Sequence, residues 1–248
     1  MNSYLEINEI FGPTIQGEGS AAGQHCLFIR LFGCNLECRW CDTPETWAVT
    51  AAKAARTDSG KVYVANEQRF QMTSDMILTE LMMRWDIVNK PTLIVVSGGE
   101  PMMQRLQLAP LTRHLFDLGN RIHIETAGTI KTTPELDLTV QQYNVSPKLE
   151  HSGNAFKKRY KPDALANLMH TGKAHFKFVV QSTKDFPEID FLVKELDIPR
   201  SRVTIMPEGT NVVDNVRVAQ DVIDAATRAG YNLSFRSHIL IWGNKKGV

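Results

Sequence analysis

From Cys26 onward the chain alternates short β-rich runs with amphipathic helical stretches, and this alternation narrows the possible folds more than any other feature. "CLFIRLF" (Cys26 to Phe32), "TLIVVS" (Thr92 to Ser97), "RIHIE" (Arg121 to Glu125) and "YNVS" (Tyr143 to Ser146) read as strands. "HFKFVV" (His175 to Val180), "RVTIM" (Arg202 to Met206) and "NLSFR" (Asn232 to Arg236) continue the series. Between them, "SDMILTELMMRW" (Ser74 to Trp85) opens on a serine suited to an N-cap and carries apolar residues at helical spacing. "LQLAPLTRHLFDLG" and "VRVAQDVIDAATRAG" each end on a glycine, Gly119 and Gly230, that stops a helix. Strands alternating with helices predict an α/β fold with a mostly parallel sheet and right-handed crossovers.

The residues that follow each strand sharpen this reading. "TLIVV" runs into "SGGEP", "RIHI" into "ETAG", "YNV" into "SPK", "RVTI" into "MPEG" and "NLSF" into "RSH". In a barrel the loops after the strands gather at one end, and that end carries the chemistry. Gly, Pro and Ser alone would make turns. They would not place Glu100, Glu125, Lys148, Glu208 and His238 so consistently at strand ends. The whole chain, 1–248, reads as a single domain with an insertion at about 44–72. That mixed segment is expected to lie over one face, with a small hairpin around Gly60.

With 248 residues the chain is long enough for a full core. A net charge of +1 gives no electrostatic case for a nucleic-acid backbone or an anionic membrane as partner. The opening "MNSYLEINEI" lacks the basic and apolar regions of a signal peptide. Apolar runs such as Thr92 to Val96 are too short to span a bilayer. These features predict a cytoplasmic protein, in which cysteines stay reduced.

Cysteine usage then becomes informative. Of four cysteines, Cys34, Cys38 and Cys41 crowd into "GCNLECRWCDT" after the strand that begins at Cys26, with spacing C-x3-C-x2-C. A structural zinc site closes with four ligands, usually in two pairs, and neither Cys26 nor His25 has that spacing. A [4Fe–4S] cluster takes one ligand per iron, so three cysteines leave one iron open to chelate a small molecule. Cys26 sits in an apolar strand and reads as an inert core residue.

This loop, with Trp40 just before its last cysteine, resembles the signature of radical S-adenosylmethionine enzymes, and "SGGEP" fits that superfamily's second motif. In the superfamily the open iron binds S-adenosylmethionine, which reductive cleavage converts to a 5′-deoxyadenosyl radical. "EIFGPTIQGEG" (Glu9 to Gly19), "FIRLFGCNLECRWCDT", "ETAG", "SPK" and the late "SH" narrow the resemblance to the 7-carboxy-7-deazaguanine synthase family. It covers nearly the whole chain except about Trp47 to Met72. The resemblance implies a shortened, partial TIM-type barrel with the cluster loop after the first strand. It implies conversion of 6-carboxy-5,6,7,8-tetrahydropterin to 7-carboxy-7-deazaguanine with loss of ammonia, toward queuosine and other 7-deazapurines. It also implies Mg²⁺ dependence, a homodimer, and an electron donor such as flavodoxin or ferredoxin.

Each position has a plainer alternative. Gly98, Gly99 and Glu100 would hold S-adenosylmethionine, since glycines let the backbone approach a ligand and a carboxylate accepts from its ammonium; a strand-ending turn is the alternative. Trp40 and Asp42 would line the adenine pocket, although Trp40 could equally be packing. Ser146, Pro147 and Lys148 match a family segment assigned to the same cofactor, against a surface turn. "MPEG" (Met206 to Gly209) could serve that ligand or the metal region. Thr43 would be a Mg²⁺ ligand, its hydroxyl being a hard donor. Ile15, Gln16, Gly17 and Glu18 form a pliable turn whose carboxylate and carbonyls suit the donors of a pterin edge, with a simple loop as the alternative. Arg30 lies among apolar neighbours and needs a partner, either a substrate carboxylate or a structural ion pair. Ser97 and His238 would complete the substrate pocket. The tail "ILIWGNKKGV" runs on past His238, where some members of the family end. Two other readings compete: a different radical enzyme such as a glycyl-radical activase, and a non-enzymatic iron–sulfur or zinc module.

Overall fold

The computed structural model describes residues 4–243 and 245–247. The first three residues of the opening, and Asn244 and Val248 of the tail, lie outside the described residues. Strands form where branched and aromatic residues cluster: β1 (Leu5–Ile15), β2 (His25–Leu31), β3 (Phe70–Met72), β4 (Leu93–Gly98) and β5 (Arg121–Thr126). They continue as β6 (Gln142–Val145), β7 (Ala174–Val180), β8 (Val203–Pro207) and β9 (Asn232–Leu233). All nine belong to one sheet in the order β3-β1-β2-β4-β5-β6-β7-β8-β9. From β2 to β9 every neighbouring pair is parallel. Only β1 breaks the pattern, running antiparallel to both β2 and β3.

The period of two along each strand separates core from site. On β2, Leu27, Ile29 and Leu31 enter the main hydrophobic core, where Ile94, Val96, Ile122, Ile124, Phe176 and Phe178 join them. The alternate residues Phe28 and Arg30 line a cavity on the opposite face. Helices α1 (Ala51–Ala54) and α2 (Ala65–Gln68) are single turns, and α3 (Ser74–Trp85) and α4 (Arg105–Asp117) are longer. Next come α5 (Pro134–Thr139), α6 (Phe156–Arg159), α7 (Pro162–His170), α8 (Phe186–Glu195), α9 (Val212–Ala229) and α10 (Ser237–Trp242). Of these, α3, α4, α5, α7, α8 and α9 supply the core side, whereas α10 lines the cavity. Among the described residues no helix is long and apolar enough to cross a membrane.

Four expectations are corrected. The cysteine loop follows the second strand, because β1 precedes it; β1 escapes a pattern search because Gly12 and Pro13 interrupt it and two register shifts break its alternation. The segment around Gly60 is not a hairpin: Thr57 Oγ1 accepts from Gly60 N at 3.1 Å, and α1 and α2 flank the turn. The segment ends in β3, which pairs with the edge of β1. The N-cap of α3 is Thr73, whose side chain accepts from Met76 N at 3.2 Å, one residue before the expected serine. Finally, β9 stops at Leu233: Ser234 N makes a last bond to the Ile205 carbonyl at 3.0 Å, and its Oγ accepts from Gly19 N at 2.8 Å.

The antiparallel course of β1 determines how the turn after it is placed. Ile15 pairs with His25, so the turn starts beside the beginning of β2, away from the loops that follow the parallel strands. From there it crosses the polar face of the sheet. Gln16 reaches Glu125 on β5, Ser20 accepts from Gln142 on β6, Glu18 meets Lys177 on β7, and Gly19 reaches Ser234 beyond β9.

Candidate active site

The cysteine loop forms a small apolar nest of its own, Leu36, Cys38 and Ala127 with Cys34 and Cys41 packed against them. Each sulfur accepts an N–H: Cys34 from Leu36 N at 3.4 Å, Cys38 from Asn154 Nδ2 at 3.3 Å, and Cys41 from Trp47 Nε1 at 3.3 Å. Such bonds suit sulfurs that carry negative charge and help tune a cluster they ligate. Burial pushes all three thiols up, Cys41 to about 11 with Asp42 adding to the rise; at Cys38, Lys148 and Asn154 offset part of it. The sulfurs would give up their protons to a cationic centre bound among them. Among the described residues no three His, Cys, Asp or Glu side chains gather as ligands of a single metal ion. A cluster sets a different requirement, one thiolate per iron, and this donor set fits it. Cys26 lies apart, packed with Ala21, Leu93 and Val95.

The Gly-Gly pair at the end of β4 is imposed by the close approach of the end of β2 and the start of this loop. A Cβ on Gly98 would lie 2.2 Å from the Leu31 carbonyl oxygen, and one on Gly99 would lie 2.1 Å from that of Gly33. Glu100 follows, 1% exposed. Its carboxylate accepts from Met102 N at 3.0 Å, Thr126 Oγ1 at 2.7 Å and Ala127 N at 2.7 Å, so it ties the β4 loop to the end of β5. Burial pushes its carboxyl up, against those hydrogen bonds.

Beside the loop, a chain of charges anchored on the buried Lys177 and Arg236 runs along the cavity. Lys177 Nζ donates to Glu18 Oε2 at 2.5 Å and to Glu125 Oε2 at 3.2 Å. Glu125 Oε1 accepts from Gln16 Nε2 at 3.0 Å and from Asn144 Nδ2 at 2.9 Å. Arg236 Nε donates to Glu18 Oε1 at 2.9 Å, and its Nη2 pairs with Asp42. Burial alone would raise the Glu18 carboxyl; Lys177, Arg236 and His238 outweigh it and hold the group well below the usual carboxylate range. Burial likewise opposes the charge on Lys177, and Glu125 and Glu18 reverse that, holding the ammonium firmly protonated. Burial lowers His238, with Glu18 pulling the other way.

The remaining walls are mixed. Arg30 Nε donates to Glu9 Oε1 at 2.6 Å, and its guanidinium lies 5.4 Å over the Phe11 ring, which stacks on Phe28. Only the Nε edge of the fork is engaged by Glu9. Lys148 Nζ donates to Ser146 Oγ at 3.0 Å and lies 5.6 Å over Trp40, whose indole donates to His151 Nδ1 at 2.9 Å. The tail folds back: Lys245, Lys246 and Gly247 line the cavity, and Lys246 Nζ pairs with the buried Glu45 at 2.5 Å.

One cavity of about 260 Å³ collects the three cysteines with Trp40, Asp42, Thr43, Ser97, Gly98, Gly99, Ser146 and Lys148. Ile15, Gln16, Gly17, Glu18, Arg30 and His238 line it as well. Glu100 and Pro147 do not; Glu100 is turned into the capping contacts described above. Sequence reasoning missed Lys177 and Arg236 and gave Glu125 no role. Lys177 carried the signal that singled out Arg30, a cation alternating with apolar neighbours in "HFKFVV". Arg236 carried none beyond its place in "RSH".

Comparison with known proteins follows the same lines. Residues 15–135 match the family model of a 4Fe-4S single cluster domain. The 7-carboxy-7-deazaguanine synthase of Pyrobaculum aerophilum is 33% identical, the match covering 98% of this chain and 97% of the relative. That of Bacillus subtilis is 28% identical over 100% of both chains. The crystal structure of QueE from Escherichia coli superposes with a TM-score of 0.67 at 27% identity, covering 94% of this chain and 93% of that one. The fold is shared more distantly with Streptococcus suis SuiB bound to S-adenosylmethionine, at a TM-score of 0.50 and 15% identity over 82% of this chain and 47% of that one.

Proposed function

The chain belongs to the 7-carboxy-7-deazaguanine synthase family, and from that premise we propose how its own residues divide the work. It is a radical S-adenosylmethionine enzyme that converts 6-carboxy-5,6,7,8-tetrahydropterin to 7-carboxy-7-deazaguanine with loss of ammonia. The observation that carries the reading is a single cavity whose walls include both the three N–H-dressed thiols and the Ile15–Glu18 turn.

When bound, the [4Fe–4S] cluster and S-adenosylmethionine supply the hydrogen-abstraction chemistry of the superfamily. Cys34, Cys38 and Cys41 hold the cluster. Gly98 and Gly99 let the cofactor's methionine end approach the backbone. Glu100 is expected from the sequence to accept from the cofactor ammonium; turned away from the cavity, it instead braces the Gly98–Gly99 backbone through its three internal donors. Trp40, Asp42, Ser146, Pro147 and Lys148 complete that subsite. Lys148 and Ser146 present polar groups at its wall, and Trp40 a flat face.

On the substrate side, the free edge of the Arg30 fork accepts the pterin carboxylate, while Glu9 and Phe11 keep the guanidinium oriented. Ile15, Gln16, Gly17, Glu18, Ser97 and His238 bound the ring. Lys177 and Glu125 hold Glu18 and Gln16 in place, so the turn is pre-formed and little ordering remains when substrate enters. Thr43, at the cavity wall beside Cys41, offers a hard oxygen to Mg²⁺; substrate oxygens and water supply the other ligands. The turn crossing from β5 to beyond β9 supports a partial barrel, with the site on its inner face and chain 1–248 as one domain. A homodimer in the cytoplasm, served by an electron donor such as flavodoxin or ferredoxin, completes the proposal.

The test is anaerobic reconstitution followed by electron paramagnetic resonance of the reduced protein with and without S-adenosylmethionine, with pterin turnover followed in the same sample. A reduced cluster signal that shifts with the cofactor, together with 7-carboxy-7-deazaguanine, is expected. One tightly bound zinc and no cluster would refute it.

A further inference from the structure

Arg236 joins parts of the chain that no other side chain described above brings together. Its Nε donates to Glu18 at 2.9 Å, its Nη1 to the Gly209 carbonyl at 3.0 Å, and its Nη2 to Asp42, between Cys41 and Thr43. The two residues after it strengthen one end of the link. Ser237 N and Oγ both donate to the Gly17 carbonyl, at 2.9 and 3.1 Å. His238 packs so tightly that a Cβ on Gly17 would lie 2.0 Å from its Nδ1. The turn that faces the pterin and the loop that holds the cluster enter the cavity from different directions, and residues 236–238 connect them.

Taking the substrate and cluster assignments above as its basis, we propose that Arg236 is a positioning residue that sets the register between the substrate turn and the cluster loop. The planar guanidinium suits the task because it directs donors toward two carboxylates and a carbonyl at fixed angles. A lysine supplies a point charge and cannot span them. Lys177 is no substitute, since it is committed to Glu18 and Glu125. Asp42 is 45% exposed, so its contact adds little to stability, and its value lies in geometry. Register matters here because displacing reacting groups by about 1 Å costs on the order of 10²-fold in rate.

The experiment compares Arg236→Lys, Asp42→Asn and the double variant as reconstituted holoenzymes, using 6-carboxytetrahydropterin turnover and hydrogen–deuterium exchange. Iron content should match wild type in all three. Each single variant should lose about tenfold or more in kcat, and the double should lose no more than the worse single, because both break one contact. Arg236→Lys should raise exchange in both Gln16–Gly19 and Cys38–Thr43, whereas Asp42→Asn should raise it only in the second. Additive losses, or unchanged exchange around Asp42 in Arg236→Lys, would overturn the proposal. If the wild-type enzyme itself turned over no pterin, the substrate assignment would fall, and the exchange pattern alone would decide whether Arg236 couples the two segments.

Discussion

Cys26 and Cys38 are both buried, yet they should behave in opposite ways. Cys38→Ala removes an iron ligand and should abolish cluster assembly and activity, while Cys26→Ala should leave the iron content of the reconstituted protein unchanged. Lys177 makes a second contrast. It is 8% exposed in its side chain and neutralises Glu18 and Glu125 together, so Lys177→Met leaves the largely buried Glu125 without its cation and Glu18 with Arg236 alone. The expected cost is about 3–5 kcal/mol, read as a lower midpoint in urea. His123 supplies a pH dependence. It is 6% exposed, its Nδ1 has no partner among the described residues, and burial, aided by Arg121 and His175, lowers it from 6.5 to about 4. The unfolded chain therefore binds this proton first. The stability His123 contributes is present above about pH 6.5 and is lost as the pH falls toward 4. Between pH 7 and 5 wild type should lose about 2 kcal/mol more than His123→Gln in urea titrations; equal losses would refute the assignment. Cysteines and glycines were legible at this scale because their spacing is local. Lys177 and Arg236 were not, because what defines them is a partner far along the chain.

The elements show why some local signals sufficed and others failed. Asn211 caps α9 by accepting from Asp214 N at 2.9 Å, and Gly230 ends that helix in the left-handed region at φ +71°. Both are short-range features, and the helix stop was readable. Asn211→Ala should cost about 1 kcal/mol, measured by urea unfolding, with activity retained. In contrast, β1 is bulged twice and takes its identity from pairing with β2 and β3, which no window of sequence displays. The close packing of Gly99, just after β4, on the start of the cysteine loop is of the same kind. Gly99→Ala places a methyl group 2.1 Å from the Gly33 carbonyl oxygen, so the loop must move. Far-UV circular dichroism should stay close to wild type while the reconstituted iron content falls sharply. A variant that loads iron normally would show that the loop yields without harm.

Across the whole molecule, the cysteine nest and the main core are separate apolar groups. Most buried apolar surface lies in the core, whose strands and helices do not depend on iron. Chelating the iron should therefore leave a cooperative thermal transition within a few degrees of the holoprotein's, unlike a small zinc domain that unfolds without metal. The parallel sheet was legible because strands and helices alternate along the chain. The path of the turn after β1 was not, because it is set by the antiparallel pairing of Ile15 with His25 and by contacts to Glu125, Lys177 and Ser234 far along the chain. This path also has a consequence for synthesis. Glu18 and Arg236 are 218 positions apart, and Gly17 and Ser237 are 220. A ribosome can release the sheet strand by strand, but the contacts that complete the pocket join residues more than 200 positions apart. A nascent chain stalled before residue 236 would already hold its cysteines, yet it would lack the residues that close the pocket around them.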